Sequence, residues 1–301
     1  MNELARQLAH LVGNSPLQLV EDPFPEPVTI RLFLKRDDLL HPQVSGNKWR
    51  KLKYNLLAAR NQGFSTLLTF GGAYSNHLYA TAAAGHVFGF KTIGLVRGEE
   101  LADKPLNQTL AFCRQSGMQL QFISRADYRR KEEPDFLNAL FAEFGPCYNL
   151  PEGGTNELAI RGTAEIIPEI STQLSYTPDF VCCPVGTGGT VEGLAKSASE
   201  ETKVLGVMAL KIPDVDKQGN WRQLNDYHFG GYAKTTPELI QFIQTFERKT
   251  GVLLEQIYTG KMLYGIYDLA RKGFFPDNAT VVAVHTGGLQ GRSVELTMTN
   301  Q

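Results

Sequence analysis

The feature that most constrains the fold is an alternation of two patterns along nearly the whole chain. Short runs of β-branched and aliphatic residues alternate with stretches that have helical periodicity. Such an alternation is typical of βαβ units, in which a helix connects two parallel strands. Strands are predicted at 31–35, 66–70, 91–96, 119–124, 180–185, 204–209 and 280–285, and helices are predicted to begin near residues 47, 76, 106, 134, 190, 237 and 261. The chain is therefore predicted to be an α/β protein with parallel sheets.

The charge balance favours a small-molecule partner. The 301 residues contain 30 Lys and Arg against 31 Asp and Glu, a net charge of −1, so the basic footprint of a nucleic-acid-binding protein is missing. The first 20 residues contain only short apolar pieces, which fit neither a signal peptide nor a membrane span.

Two of the four cysteines, Cys182 and Cys183, are adjacent in an apolar run, a pattern that does not indicate disulfides. A reducing compartment, the cytoplasm, is predicted.

The most specific local signal is the segment Gly186-Thr187-Gly188-Gly189-Thr190, which follows a predicted strand and precedes a helix-like stretch. Glycines let backbone amides converge, and a helix N-terminus adds positive partial charge, so the segment is a candidate phosphate cradle. No Gly-Lys-Ser/Thr closes a Walker motif, and Lys211 stands where a ribose-binding acid would be needed, which argues against NAD. The alternative is a tight turn without a ligand.

A second candidate is Lys48, which lies in a basic stretch at the start of a predicted helix. If Asn47 caps that helix, the helix dipole and the neighbouring cations Arg50 and Lys51 disfavour the charged amine. A lysine with an enlarged neutral fraction is suited to Schiff-base chemistry. The alternative is an ordinary solvated basic face.

A third candidate is the turn that contains Ser75, Asn76 and His77, directly after a predicted strand. Ser75 is well placed as a helix N-cap, and free amides at that helix start can bind a carboxylate, with Asn76 and His77 facing the ligand. The alternatives are pure capping for Ser75 and a structural role for His77.

Two further turns lie late in the chain, at 258–261 and 285–288. Ligands of open α/β sheets bind at the carboxyl ends of strands, where both Gly186 and Thr286 are predicted, so a shared pocket is expected. Each turn alone is equally consistent with simple capping. No HExxH, CxxC or G-x-S-x-G motif is present, and no metal site is predicted. The irregular segment 211–234 is interpreted as a surface connection or as a lid.

These motifs occur together in one order that resembles a known family. Five segments carry the resemblance, namely 45–48, 71–77, 186–190, 258–261 and 285–288. In this order they resemble the fold type II pyridoxal-phosphate enzymes, and within them the D-cysteine desulfhydrase and 1-aminocyclopropane-1-carboxylate deaminase family. The resemblance extends from about Asn14 to Gly288 and implies a two-domain, tryptophan synthase β-like fold of twisted parallel sheets with helices on both faces. It also implies a smaller inserted domain at 51–155, a larger cofactor-binding domain at 1–50 and 156–301, and a homodimer.

The resemblance assigns roles to individual residues. Lys48 would bond covalently to the cofactor aldehyde, the Gly186–Thr190 loop would bind the phosphate, and Asn76 would bind the ring hydroxyl. Thr286 belongs to the cofactor-binding set. Catalytic roles are expected for Lys48, Ser75 and Tyr258, and substrate contacts for Ser75, Asn76, His77, Tyr258 and Thr259.

Three positions favour the desulfhydrase branch of the family. The deaminases typically carry Glu, Leu and Gln where this chain has Thr259, Thr286 and His77. The resemblance therefore implies α,β-elimination of D-cysteine, or of a related small amino acid, to pyruvate, ammonia and sulfide. The alternatives are 1-aminocyclopropane-1-carboxylate deamination, a serine-type dehydratase or racemase, and a binding protein without catalysis. Departures from the family pattern, among them Tyr74 and Glu255, bear on substrate identity.

Overall fold

The chain folds as an α/β protein, as predicted, and forms two compact units. The computed structural model describes residues 3–44, 46–212 and 221–297. The first unit consists of Met1–Gly13 and His41–Gly162, and the second of Asn14–Leu40 and Thr163–Gln301. The helix Asn47–Asn61 of the first unit runs without a break past residue 50. The predicted division into domains at 51–155 and the remainder stays a prediction.

Within the described residues the strands and helices follow the predicted alternation. The strands are β1 Leu17–Val20, β2 Arg31–Lys35, β3 Thr66–Gly71, β4 Lys91–Arg97, β5 Met118–Ile123, β6 Tyr148–Leu150, β7 Phe180–Val185, β8 Lys203–Met208, β9 Trp221–Leu224 and β10 Thr280–Val284. The helices are α1 Glu3–His10, α2 Asn47–Asn61, α3 Asn76–Phe88, α4 Gln108–Gln115, α5 Arg125–Arg129, α6 Pro134–Phe144, α7 Glu157–Thr163, α8 Ile166–Leu174, α9 Gly189–Ser197, α10 Pro237–Thr250, α11 Thr259–Arg271 and α12 Val294–Thr297.

All seven predicted strands are present, whereas three short strands were not predicted. These are β1, β6 and β9, with four, three and four residues, too few for an alternating pattern to be recognised. Strand β9 lies in the irregular 211–234 segment, of which 213–220 falls outside the described residues. Helix α11 begins at Thr259, two residues before its predicted start, because the Glu255 carboxylate accepts the amides of this turn.

The first unit is built on a four-stranded parallel sheet in the order β5-β4-β3-β6. Helices α3 and α4 pack on one face, where Leu78, Ala82 and Leu110 are buried. On the other face Tyr128 of α5 and Leu140 of α6 cover the sheet. Helices cover both faces because strands of a parallel sheet are connected by crossovers.

The second unit is built on a six-stranded sheet in the order β1-β2-β10-β7-β8-β9. Only the edge pair β1 and β2 is antiparallel, and the other neighbours are parallel. Helices α10 and α11 bury one face, and α8 and α9 bury the other. None of the helices in the described part of the chain combines the length and the apolar character that a membrane span requires.

We expect the buried strand β2 to contribute strongly to stability. Leu34 is fully buried in the core beneath α10 and α11, whereas Leu39, five residues later, is 49% exposed. Leu34→Ala should lower the free energy of unfolding by about 2–5 kcal/mol, because it removes methyl groups and leaves a cavity. Leu39→Ala should change it by less than about 0.5 kcal/mol. Urea unfolding of both variants measures the difference, and equal effects would contradict this core assignment.

Candidate active site

In the first unit, Lys48 lies in the first turn of α2 and is half-buried. The N-cap is Gly46, with φ 64°, and Asn47 is the first residue of the helix, so the conditional prediction that Asn47 is the cap was wrong. The left-handed conformation at this position favours glycine over any residue with a Cβ atom. The Lys48 Nζ donates to Asn47 Oδ1 at 3.1 Å. Ser45, which precedes this turn, lies outside the described residues.

A second lysine, Lys51, lies one helical turn after Lys48 and was not predicted as a functional residue. Its side chain is buried, and Nζ donates to the Gly153 carbonyl and to Thr155 Oγ1, both at 3.0 Å. Residues three apart share a helix face, so this spacing was the available signal. Lys51 thereby ties α2 to the segment that follows β6.

Ser75 is the N-cap of α3, as predicted. Its Oγ accepts a hydrogen bond from the Leu78 amide at 3.2 Å, and Asn76 is the first residue of the helix. A Cβ atom at Gly71 would lie 2.7 Å from Ser75 Oγ, so the end of β3 approaches this turn more closely than any other residue type allows. The substrate and catalytic roles of Ser75 and Asn76 stay predictions.

His77 is buried beneath the same turn, and its protonation state follows from its contacts. Thr69 Oγ1 donates its only proton to the Leu150 carbonyl at 2.9 Å, so in the 2.8 Å contact between His77 Nε2 and Thr69 Oγ1 the imidazole is the donor. The other nitrogen, Nδ1, then carries a lone pair, and no hydrogen-bond partner for it exists in the described part of the chain. Burial, and then the charges of Lys48 and Lys51, hold the pKa of His77 well below its usual value.

In the second unit, strand pairing places two predicted segments at the same edge of the sheet. Strands β10 and β7 are parallel, and Ala283 is paired with Cys182. Counting forward by three residues on each strand puts Thr286 level with Val185, the last residue of β7. Gly186 and Thr286 therefore lie side by side at the carboxyl ends of neighbouring strands, where α/β sheets bind ligands.

The glycine segment makes a tight transition from β7 to α9. Gly188 is the N-cap with φ 88°, and it has no side chain that could accept the amides of the first turn of the nine-residue helix. Gly189 and Thr190 are buried, whereas Thr187 is exposed. The positive end of the helix and its backbone amides are suited to an anion such as phosphate.

Tyr258 lies beside this segment. A Cβ atom at Gly186 would lie 3.3 Å from Tyr258 Cε1 and 3.5 Å from its hydroxyl oxygen, so glycine provides the space for the ring. The Tyr258 ring also meets Tyr232 edge-on, with 6.3 Å between the ring centroids. Tyr232 was not predicted, because it lies in the irregular segment that lacks a motif.

The turn before α11 is organised around the buried carboxylate of Glu255. This carboxylate accepts hydrogen bonds from the amides of Ile257, Tyr258 and Thr259 at 2.6–2.8 Å. Burial raises the pKa of Glu255, and these hydrogen bonds act in the opposite direction. Thr259 is fully buried, and its hydroxyl contacts Glu255 Oε1 at 3.1 Å, so this hydroxyl belongs to the turn. Its predicted substrate contact stays untested.

His285 fixes the turn that carries Thr286. His285 Nδ1 accepts from the Gly287 amide at 3.2 Å, which leaves Nε2 as the donor to the Leu253 carbonyl at 2.8 Å. Asp38 Oδ1 lies 3.6 Å from Nδ1, and both Asp38 oxygens accept hydrogen bonds from Arg36. Thr286 itself is 8% exposed.

Comparison with known proteins identifies the group to which these segments belong. The family described as pyridoxal-phosphate-dependent enzymes matches residues 8–287. This chain belongs to that family. The predicted cofactor, pyridoxal phosphate, and the prediction that the protein is an enzyme are thereby confirmed.

Individual relatives place the enzyme within the family. A protein of Pyrococcus horikoshii, provisionally named 1-aminocyclopropane-1-carboxylate deaminase, is 31% identical over 86% of this chain and 85% of its own. The bifunctional D-cysteine desulfhydrase/1-aminocyclopropane-1-carboxylate deaminase of Arabidopsis thaliana is 31% identical over 86% of this chain and 73% of its own. A crystal structure described as an ACC deaminase homologue superposes with a TM-score of 0.80 at 26% identity, covering 97% and 96% of the two chains. The predicted resemblance to the deaminase and desulfhydrase family is confirmed.

The residues of this enzyme fit the cofactor. The α9 N-terminus, with glycine as its cap and a missing Cβ at Gly186, offers backbone amides to a phosphate. Lys48 offers a primary amine at a half-buried helix start. Which residues contact the cofactor stays a prediction.

The neutral state of His77 makes stability depend on pH. Because its pKa in the folded enzyme lies well below the unfolded value of 6.5, the unfolded chain takes up a proton first as the pH falls. His77 should therefore lower the free energy of unfolding by up to about 1.4 kcal/mol for each pH unit below 6.5. Unfolding in urea between pH 7 and pH 5 should show a smaller decline for His77→Gln than for the wild type.

The matched control for this experiment is His86→Gln, which removes an exposed histidine of the same helix. This variant should keep the wild-type decline. If His77→Gln also keeps it, the assignment of a neutral buried imidazole is incorrect.

Proposed function

We propose that the enzyme catalyses the α,β-elimination of D-cysteine, or of a closely related small amino acid. The balanced reaction converts D-cysteine and water to pyruvate, ammonia and hydrogen sulfide. The observation that carries this choice is the pair of threonines at 259 and 286, where the deaminase pattern has Glu and Leu. The carboxylate of the deaminase pattern stands at 259, whereas Thr286, which lies level with the end of β7 beside the glycine segment, offers a hydroxyl where that pattern has Leu.

Hydroxyl and carboxylate groups near the pyridine nitrogen favour different reactions. A carboxylate near the pyridine nitrogen favours its protonation and strengthens electron withdrawal, which suits the opening of a cyclopropane whose α-carbon has no hydrogen. Elimination of a thiolate, a good leaving group, proceeds with the weaker polarisation that the Thr286 hydroxyl provides. The buried Glu255 carboxylate does not replace the missing one in this proposal, because backbone amides of its own turn engage it.

Each proposed residue has a chemical task, and Lys48 has two. Pyridoxal phosphate, when bound, stabilises negative charge at the substrate α-carbon. Lys48 would hold the cofactor covalently and, once its amine is free, would remove the substrate α-proton as general base. The Gly186–Thr190 loop binds the phosphate, Asn76 orients the ring through its hydroxyl, and the start of α3 at Ser75 binds the substrate carboxylate. Tyr258 faces the leaving group, and Thr286 contacts the ring nitrogen.

A second reaction, the deamination of 1-aminocyclopropane-1-carboxylate, is supported by a specific observation. The Arabidopsis relative at 31% identity carries both activities in its name. The two reactions are separated by comparing the rates on D-cysteine, 1-aminocyclopropane-1-carboxylate and D-serine. Turnover of D-cysteine that exceeds the other two supports the elimination.

The family resemblance also supports three proposals about assembly, location and domain organisation. These are a homodimeric assembly, a cytoplasmic location and a smaller domain at 51–155 inserted in a larger one. Light scattering of the purified protein measures the first, and a mass of one chain would contradict it.

We expect Lys48→Ala to abolish turnover, because it removes both the covalent attachment and the general base. Wild-type protein loaded with pyridoxal phosphate should release sulfide and pyruvate in equal amounts from D-cysteine. Borohydride treatment followed by peptide mapping should leave reduced cofactor on Lys48.

The control variant is Lys53→Ala, which removes another lysine of α2 whose ammonium lies over the Tyr54 ring. It should keep both turnover and the trapped cofactor on Lys48. A wild-type protein that stays colourless with pyridoxal phosphate, or Lys48→Ala with undiminished turnover, would refute the proposed role of this amine.

A further inference from the structure

Lys261 is a buried cation to which the proposed reaction gives no task. It is the third residue of α11, and its side chain is fully buried. The Nζ donates to the carbonyls of His228 at 2.8 Å and of Gly231 at 2.9 Å. Both carbonyls belong to the irregular segment 227–234, which we call the tyrosine loop because it begins at Tyr227 and carries Tyr232. Lys261 therefore connects the start of α11 with this loop.

The tyrosine loop has a backbone that needs external support. Four of its residues have positive φ, and two of them, Phe229 at 53° and Ala233 at 56°, are not glycine. Each such residue raises the conformational energy of the loop. The loop's own support at these carbonyls consists of two turn hydrogen bonds, from the Gly231 amide to His228 and from the Lys234 amide to Gly231. The Lys261 ammonium thus reinforces the same two acceptors that organise the turns.

The loop leads directly to the candidate active site of the second unit. Tyr232 directly follows Gly231, whose carbonyl Lys261 binds, and its ring packs edge-on against Tyr258 at 6.3 Å. Tyr258 in turn lies beside Gly186. A shift of the loop would therefore change the surroundings of the Tyr258 ring without touching the glycine segment itself.

The charge of Lys261 is set by its surroundings. Burial lowers the pKa of its ammonium to about 8, and the carboxylate of Glu255 acts in the opposite direction. At neutral pH the ammonium form predominates, and its hydrogen bonds to the two carbonyls are charge-assisted, a class about twice as strong as neutral ones. Above this pKa the amine is neutral and its hold on the loop weakens.

We propose that Lys261 is a positioning residue that holds the tyrosine loop against Tyr258 and thereby sets the affinity for the substrate. This inference rests on the proposed function, since it takes Tyr258 to face the substrate. Lys261 acts through the loop alone, so its loss should raise KM and leave cofactor binding intact.

The first test compares two lysines that each donate to a backbone carbonyl of a different loop. Lys261→Met keeps an unbranched side chain that is one atom shorter than lysine, and it removes the donors and the charge. Lys249→Met is the control, because Lys249 Nζ donates to the Phe24 carbonyl at 2.6 Å and to Asp22 at 3.0 Å, far along the chain from the tyrosine loop. Amide hydrogen exchange of peptides covering 227–234 should become faster in Lys261→Met and stay unchanged in Lys249→Met.

The second test measures kinetics with D-cysteine on the cofactor-loaded enzyme. KM should rise about tenfold or more in Lys261→Met, since the loss of a charge-assisted contact of about 1.4 kcal/mol corresponds to a factor of ten. The kcat value and the visible absorbance of bound cofactor should change little. The ratio of the two KM values, variant over wild type, should fall as the pH rises through about 8, because the wild-type amine then loses its charge. The titration of the substrate cancels in this ratio.

A second variant changes a residue of the tyrosine loop itself. Gly231 has φ 124°, so Gly231→Ala strains the loop, while its added Cβ would lie 3.9 Å from Lys211 Cβ, an ordinary van der Waals contact. It should reproduce the faster exchange and the higher KM even if Lys261→Met does not fold.

Three outcomes would overturn the inference. These are unchanged exchange at 227–234 in folded Lys261→Met and in Gly231→Ala, a loss of kcat without a rise in KM, and a KM ratio that does not respond to pH. A wild-type enzyme without turnover of D-cysteine would instead refute the proposed function, whereas the exchange experiment would still report on the loop.

Discussion

The parallel pairing of β7 with β10 is the constraint on which the functional arrangement of the second unit depends. Because the two strands run in the same direction and Ala283 pairs with Cys182, both chains emerge at one edge of the sheet. The glycine segment and Thr286 then lie side by side whatever their separation in sequence. An antiparallel pairing would have placed these turns at opposite edges. The placement of these two segments therefore depends on the backbone hydrogen bonds between β7 and β10.

Buried polar side chains hold the turns that follow the strands. Glu255 accepts three amides before α11, His285 accepts the Gly287 amide, and Lys51 and Lys261 donate to loop carbonyls. A polar group away from water is stable only when it is paired, so each of these contacts fixes a local backbone geometry. Side chains behind these turns therefore engage their carbonyls and amides and hold the backbone in place.

The candidate site was partly predictable from sequence. The glycine segment, Lys48 and Ser75 were predicted because each lies next to the boundary of a predicted strand or helix. The N-cap role of Ser75 is confirmed by the hydrogen bond that its Oγ accepts from the Leu78 amide. Lys51, Tyr232 and the capping action of Glu255 were missed. The spacing of three residues places Lys51 on the helix face of Lys48, but the contact partners lie 102 residues away for Lys51 and 26 for Tyr232, and no local pattern reports those contacts. The N-cap of α2 is Gly46 and not Asn47, because Gly46 adopts a positive φ that cannot be recognised from the sequence.

The sequence by itself determined the α/β class, all seven longer strands and the family. These features depend on hydrophobic periodicity and on short motifs, both of which are visible in a local stretch of sequence. Only the tertiary structure decided which nitrogen of His77 is protonated, that the Thr259 hydroxyl belongs to the Glu255 turn, and that Lys261 holds the tyrosine loop. The physical reason is that a hydrogen bond depends on distances of a few ångströms between groups brought together by folding. Hydrophobic periodicity specifies which face of a helix or strand is buried, but not which polar group of another segment contacts that face.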